Sequence, residues 1–211
     1  MRIVFVGGST SAGFNAEVKG FPYLVAEKLT NVSINIFVEP KITAFKALKY
    51  LENMNFTLKK GDLCVLQLGV GDHFLKAKYV LLSKINNRLI SSLLKKLGFF
   101  RSRESYENYL GIVQEIFNLV CSQGGNILWI VTLQGFRVSP IARRKQRKYV
   151  RDAYFQCKAK YEQQSFFLDL NELLSKKGIS DDNIHPNGYG QAYLSRWILK
   201  IVESINTSDV R

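Results

Sequence analysis

The sequence predicts an α/β fold: a parallel five-stranded sheet covered by helices on both faces. Three observations lead there. Short apolar runs alternate with helical patterns along the whole chain. Two of the runs, Leu63 to Leu68 (LCVLQL) and Asn126 to Thr132 (NILWIVT), are near-continuously apolar, as strands buried on both faces are. Turns rich in Gly, Asp and Asn follow the strand ends.

Arg2 to Val6 reads as the first strand and runs into the small-residue turn Gly7 to Gly13 (GGSTSAG). Pro22 suits the first turn of a helix reaching about Leu29, with Leu24, Val25 and Leu29 on one face. Val32 to Val38 alternates and reads as the second strand. Thr43 to Met54 places Phe45, Leu48 and Leu51 at helical spacing. Leu63 to Leu68 is the third strand and ends at Gly69-Val70-Gly71-Asp72. Tyr106 to Val120 is an amphipathic helix with Tyr109, Ile112, Val113, Ile116 and Phe117 spaced for burial, stopped by Gly124-Gly125. Asn126 to Thr132 is the fourth strand. An Arg/Lys-rich loop then leads to a helix through Tyr149, Ala153 and Tyr161, and Phe166 to Leu168 makes the fifth strand. Tyr189 to Ile205 closes the chain as a helix.

With 211 residues and 46% apolar composition the chain is expected to form a single domain over 1–211, with a basic, partly helical insertion at about 73–103. No apolar run approaches the length that crosses a bilayer, and the first residues read as a strand rather than a signal peptide. Cys64, Cys121 and Cys157 have no metal-binding spacing and are expected to be reduced, buried thiols of a cytoplasmic protein. No cofactor or metal is called for.

The net charge of +13 is concentrated in two segments. His73 to Arg103 carries eight Lys/Arg and no acid, and Arg137 to Arg151 carries seven and no acid. An acidic partner would meet these. The first combines cations with Val80, Leu81, Leu82, Leu93 and Leu94 and ends in Phe99-Phe100, which suits either a lid on its own domain or peripheral contact with an anionic membrane surface. Nucleic-acid binding is a weaker alternative, since aromatics between cations also track phosphates.

Ligands of open parallel sheets bind beyond the carboxyl ends of the strands. Three turns fall at that edge: Gly7 to Gly13, Gly69 to Asp72, and Asp182-Asn183-Ile184-His185-Pro186-Asn187-Gly188. The last sets a carboxylate three residues before one of only two histidines. An imidazole held by a carboxylate is what a serine nucleophile needs as its base. The alternative is a plain turn whose Asp182 caps the last helix. Ser9 in the first turn is the candidate nucleophile. A phosphate-binding loop competes for that turn, although it lacks the G-K-[ST] ending and the G-x-G-x-x-G glycines.

These blocks in this order resemble the SGNH (GDSL-type) hydrolases. They are G-x-S after strand one, a turn after strand two, G-x-x-D after strand three, and D-x-x-H-P-x-G before the last helix. The resemblance runs from Gly7 to Gly190, the basic insertion excepted. It implies a three-layer α/β/α, flavodoxin-like fold, with Ser9 as nucleophile, His185 as general base and Asp182 orienting the imidazole. The adjacent Asp181 is an alternative orienting acid. Gly8 stands where the family usually has Asp, and Gly71 where it has the Asn of the oxyanion hole. The stretch Val38 to Thr43 lacks the Gly of the second block. The hole is then expected from the backbone N–H groups of Ser9, Lys41 and Gly71, with His73 as a substitute donor. The activity implied is hydrolysis of O-acyl esters of a carbohydrate or similar polar small molecule, or transfer of the acyl group to a sugar hydroxyl. A non-catalytic binding protein on the same fold is the third reading.

Overall fold

The computed structural model describes residues 1–14, 16, 18–40, 42–68, 76–77, 100–101, 105–131, 140–181 and 185–208. Five strands are labelled in chain order: β1 (Arg2–Gly7), β2 (Ser33–Val38), β3 (Leu63–Gln67), β4 (Asn126–Val131) and β5 (Ser165–Asp169). They form one sheet in the order β2-β1-β3-β4-β5, and every neighbouring pair is parallel. This is the flavodoxin-like order, with the chain reversing direction across the sheet after β2.

Alternate residues of the central strands feed two cores, because successive side chains of a strand point to opposite faces. Val4, Val6, Cys64, Leu66, Ile127 and Trp129 pack with α3 (Ala44–Glu52), α4 (Tyr106–Cys121) and α5 (Pro140–Lys158). Ile3, Phe5, Leu63, Val65, Leu128 and Ile130 pack with α2 (Phe21–Ala26) and with α7 (Gly188–Ser208). Two short helical turns complete the set: α1 (Ser9–Ala12) and α6 (Leu170–Leu173). The three-layer α/β/α arrangement expected from the sequence is therefore present. Among the described residues no helix is long and apolar enough to cross a membrane.

Several local expectations are corrected. The helix after β2 buries Ala44, Ala47, Leu48 and Leu51, a stripe at i, i+3, i+4 and i+7, and this turns Phe45 outward to 52% exposure. Thr43 caps it, its side chain accepting from the Lys46 N–H. Ile112 sits at the margin of the buried stripe of α4 rather than within it. α2 ends at Ala26, before Leu29.

The largest difference is at Pro140 to Lys148, where the expected loop is already helix. Its cations find acids that lie far off in sequence. Arg147 and Arg151 both reach Asp169 at the end of β5 and Glu172 in α6, at 2.5 to 3.4 Å. Asp169 is nearly fully buried, and its other oxygen accepts from the N–H and side-chain amide of Asn171.

The basic insertion lies almost entirely outside the described residues. At its ends, Lys76–Ala77 and Phe100–Arg101 pair as a two-residue antiparallel ribbon. The three cysteines are buried free thiols. Burial pushes all three thiols up, Cys121 to about 12 and Cys157 to about 11.

Candidate active site

The site forms where β1 and the segment before α7 meet at the carboxyl edge of the sheet. β1 ends at Gly7, and no larger residue fits there: a Cβ would lie 2.1 Å from Ser11 Oγ. Gly8 leads in extended geometry into α1, which begins at Ser9 and stops after one turn at Gly13, φ +75°. The next segment turns back so closely that a Cβ on Gly20 would meet the Ser11 carbonyl oxygen at 1.9 Å.

Gln67, at the end of β3 and in register with Gly7, holds this turn from below. Its Oε1 accepts from the Gly8 N–H at 3.0 Å, the Ser11 N–H at 3.2 Å and the Ser11 hydroxyl at 3.0 Å. It takes amides on both sides of Ser9 but not the Ser9 N–H itself.

The opposite wall is the segment ending at His185. Ile179 and Pro186 form an isolated antiparallel bridge, and the Ser180 N–H donates to the His185 carbonyl at 2.8 Å. Asn187 then caps α7, its Oδ1 accepting from the Gly190 N–H at 3.1 Å. Its amide donates to the Lys177 and Ile179 carbonyls. The capping position that the alternative reading gave to Asp182 is thus filled by Asn187.

A second buried glutamine joins the two walls. Gln191 of α7 accepts from the Phe21 N–H at 2.9 Å. Its Nε2 donates to the Thr10 carbonyl at 3.0 Å and reaches the Pro186 carbonyl at 3.5 Å. One side chain therefore ties the neighbour of Ser9 to the neighbour of His185.

Between these walls Ser9 Oγ lies 2.8 Å from His185 Nε2, although 176 residues separate them. That is within the reach over which an imidazole takes a hydroxyl proton. His185 is 8% exposed, and the ring of Phe14 lies against its own, centroids 5.2 Å apart. The structure thus brings together Ser9 and His185. Asp182, Lys41, Gly71 and His73 lie outside the described residues, and Asp181 is exposed on the turn.

Gln67, Gln191 and Phe14 were not among the expected site residues. A signal for the first two was present: Gln67 ends an otherwise apolar strand, and Gln191 lies on the stripe of Leu194, Ile198 and Val202. Among the described residues no cluster of His, Cys, Asp or Glu could hold a metal ion.

No protein-family model matches the sequence, and no curated protein sequence does either. Solved structures do. A member of the lipolytic G-D-S-L family from Veillonella parvula is 15% identical, with a TM-score of 0.62 over 95% of this chain and 97% of that one. A psychrotrophic esterase from Pseudoalteromonas sp. is 12% identical, with a TM-score of 0.62 over 96% and 97%. An acetylxylan esterase from Geobacillus stearothermophilus is 16% identical, with a TM-score of 0.59 over 95% and 93%. The chain has the SGNH hydrolase fold along nearly its whole length.

Proposed function

We propose that the chain is a serine esterase of the SGNH type, acting on O-acyl esters of a carbohydrate or similar polar alcohol. The observation that carries the reading is the 2.8 Å contact between Ser9 Oγ and His185 Nε2. The acetylxylan esterase among the similar structures supports the choice of substrate class.

A serine hydroxyl is a poor nucleophile at neutral pH until a base takes its proton during attack. His185 Nε2 accepts that proton as Ser9 Oγ bonds to the acyl carbon. The resulting oxyanion is held by the backbone N–H groups of Ser9, Lys41 and Gly71. The bond to the alcohol breaks as Nε2 returns the proton to the leaving oxygen, which leaves the acyl group on Ser9. Water then gives a proton to Nε2 and attacks the same carbon. The Ser9–acyl bond breaks, Ser9 Oγ takes the proton back, and the carboxylic acid departs. Asp182 orients the imidazole through Nδ1 and stabilises its charged form.

The test is ester hydrolysis by the wild type, Ser9→Ala and His185→Ala. Losses of at least about 1000-fold in kcat are expected for both variants. Equal turnover in wild type and Ser9→Ala would overturn the reading.

A further inference from the structure

Phe14 is the residue beside the site with an apolar surface and no evident reason to display it. It follows Gly13, and its N–H donates to the Ser9 carbonyl, so its backbone is fixed to the Ser9 turn. Its ring lies 5.2 Å from that of His185, yet 56% of the residue is exposed. Val18, 45% exposed, lies against the start of α7, where a Cβ on Gly188 would touch it at 3.6 Å. An aromatic ring left open to water beside a nearly buried imidazole is placed to cover something that arrives.

The chemistry of the site says which part of an ester that is. In the tetrahedral intermediate the acyl carbon carries Ser9 Oγ, the oxyanion, the acyl substituent and the leaving oxygen. Of the last three, only the leaving oxygen must approach His185 Nε2, because that nitrogen supplies its proton. The group attached to that oxygen is the alcohol. A ring packed on His185 is therefore a neighbour of the alcohol.

We propose that Phe14 is a specificity-determining residue for the alcohol portion of the substrate, stacking on its ring. This rests on the esterase reading above. The alcohol it suits is cyclic, with a flat apolar or C–H-lined face, as an aromatic alcohol or a pyranose has. Once the acyl group is on Ser9 the alcohol has gone, so Phe14 acts in acylation and not in hydrolysis of the acyl-enzyme.

Three acetate esters share one acyl group and differ in alcohol: benzyl acetate, an O-acetylated methyl glycoside and ethyl acetate. Phe14→Ala should lower kcat/KM for the two ring alcohols about 3- to 10-fold, the scale of one aromatic contact. For ethyl acetate the change should be under about 2-fold. Phe14→Trp should keep the preference for ring alcohols, and this second variant guards against a folding defect in the first. The steady rate after the burst with p-nitrophenyl acetate, where deacylation limits, should be the same in all three proteins. An equal loss on all three acetates, or slower deacylation, would mean that Phe14 only orients His185 and would overturn the assignment alone. A wild type with no Ser9-dependent hydrolysis of any of these esters would remove the esterase reading and the assignment with it.

Discussion

Gln191 Nε2 donates to the carbonyl of Thr10 at 3.0 Å across 181 residues of chain, while the same side chain accepts from the N–H of Phe21. The last helix is by this means fastened to the residue after Ser9. Gln191 is completely buried, so water cannot replace either bond. Gln191→Leu should cost about 2–4 kcal/mol in urea unfolding, the usual penalty for stranding buried polar groups. In the folded fraction kcat should fall while KM changes little, because the Ser9–His185 geometry rather than the substrate surface is disturbed. Unchanged stability and kcat would mean that the Ser9 turn stands without this fastening.

Gln67 provides a second case in which acceptor and donor can be separated. Its Oε1 takes three hydrogen bonds from Gly8 and Ser11. Gln67→Leu removes the acceptor and should lower stability by at least about 2 kcal/mol. Ester turnover should fall by an order of magnitude or more with it. Gln67→Glu keeps an acceptor there and should lose distinctly less of both. The reverse order between these two variants would exclude the acceptor role.

Much of the fold was legible because three strands are buried on both faces and so consist of apolar runs, and because the stripes of α4 and α7 have plain helical spacing. The start of α5 was not legible. Its residues from Arg143 to Lys148 offer no apolar stripe, and the acids that Arg147 and Arg151 meet belong to β5 and α6. That Ser9 and His185 meet was legible through their small, turn-forming neighbours. Gln67 and Gln191 stood out only as polar residues on apolar elements; what they hold was not legible, since most of their partners are backbone groups, such as the Gly8 and Phe21 N–H groups 59 and 170 residues away.

The ion-pair cluster reassigns part of the basic charge. Asp169 is buried and bonded to both Arg147 and Arg151, so these two cations serve the fold. Arg147→Ala with Arg151→Ala should cost about 2–3 kcal/mol by leaving that carboxylate short of partners. Attachment to anionic vesicles, the expectation raised by the sequence, should survive this pair of substitutions and weaken with salt. Vesicle binding abolished by the pair in protein that is still folded would place the contact on α5 instead.

The buried thiols predict a pH dependence. Folding raises their pKa above the ordinary value of 9.0, with Cys121 at about 12 and Cys157 at about 11. Below the unfolded value both states are protonated and stability is unaffected. Above it the unfolded chain releases protons that the native state retains, so stability should fall from about pH 9 towards 12. Urea midpoints measured from pH 7.5 to 10.5 should show the decline, and Cys121→Ala with Cys157→Ala should flatten part of it. A midpoint equally steep in pH without these thiols would assign the dependence to other groups.

Whether Ser9 is a nucleophile activated by His185 is decided by a fluorophosphonate probe and mass spectrometry of the labelled peptide. The wild type should rapidly gain one phosphonyl group, carried by Ser9. Labelling should be slowed at least about 1000-fold in His185→Ala and absent in Ser9→Ala. Undiminished labelling in Ser9→Ala, or none in a folded wild type, would contradict that role of Ser9.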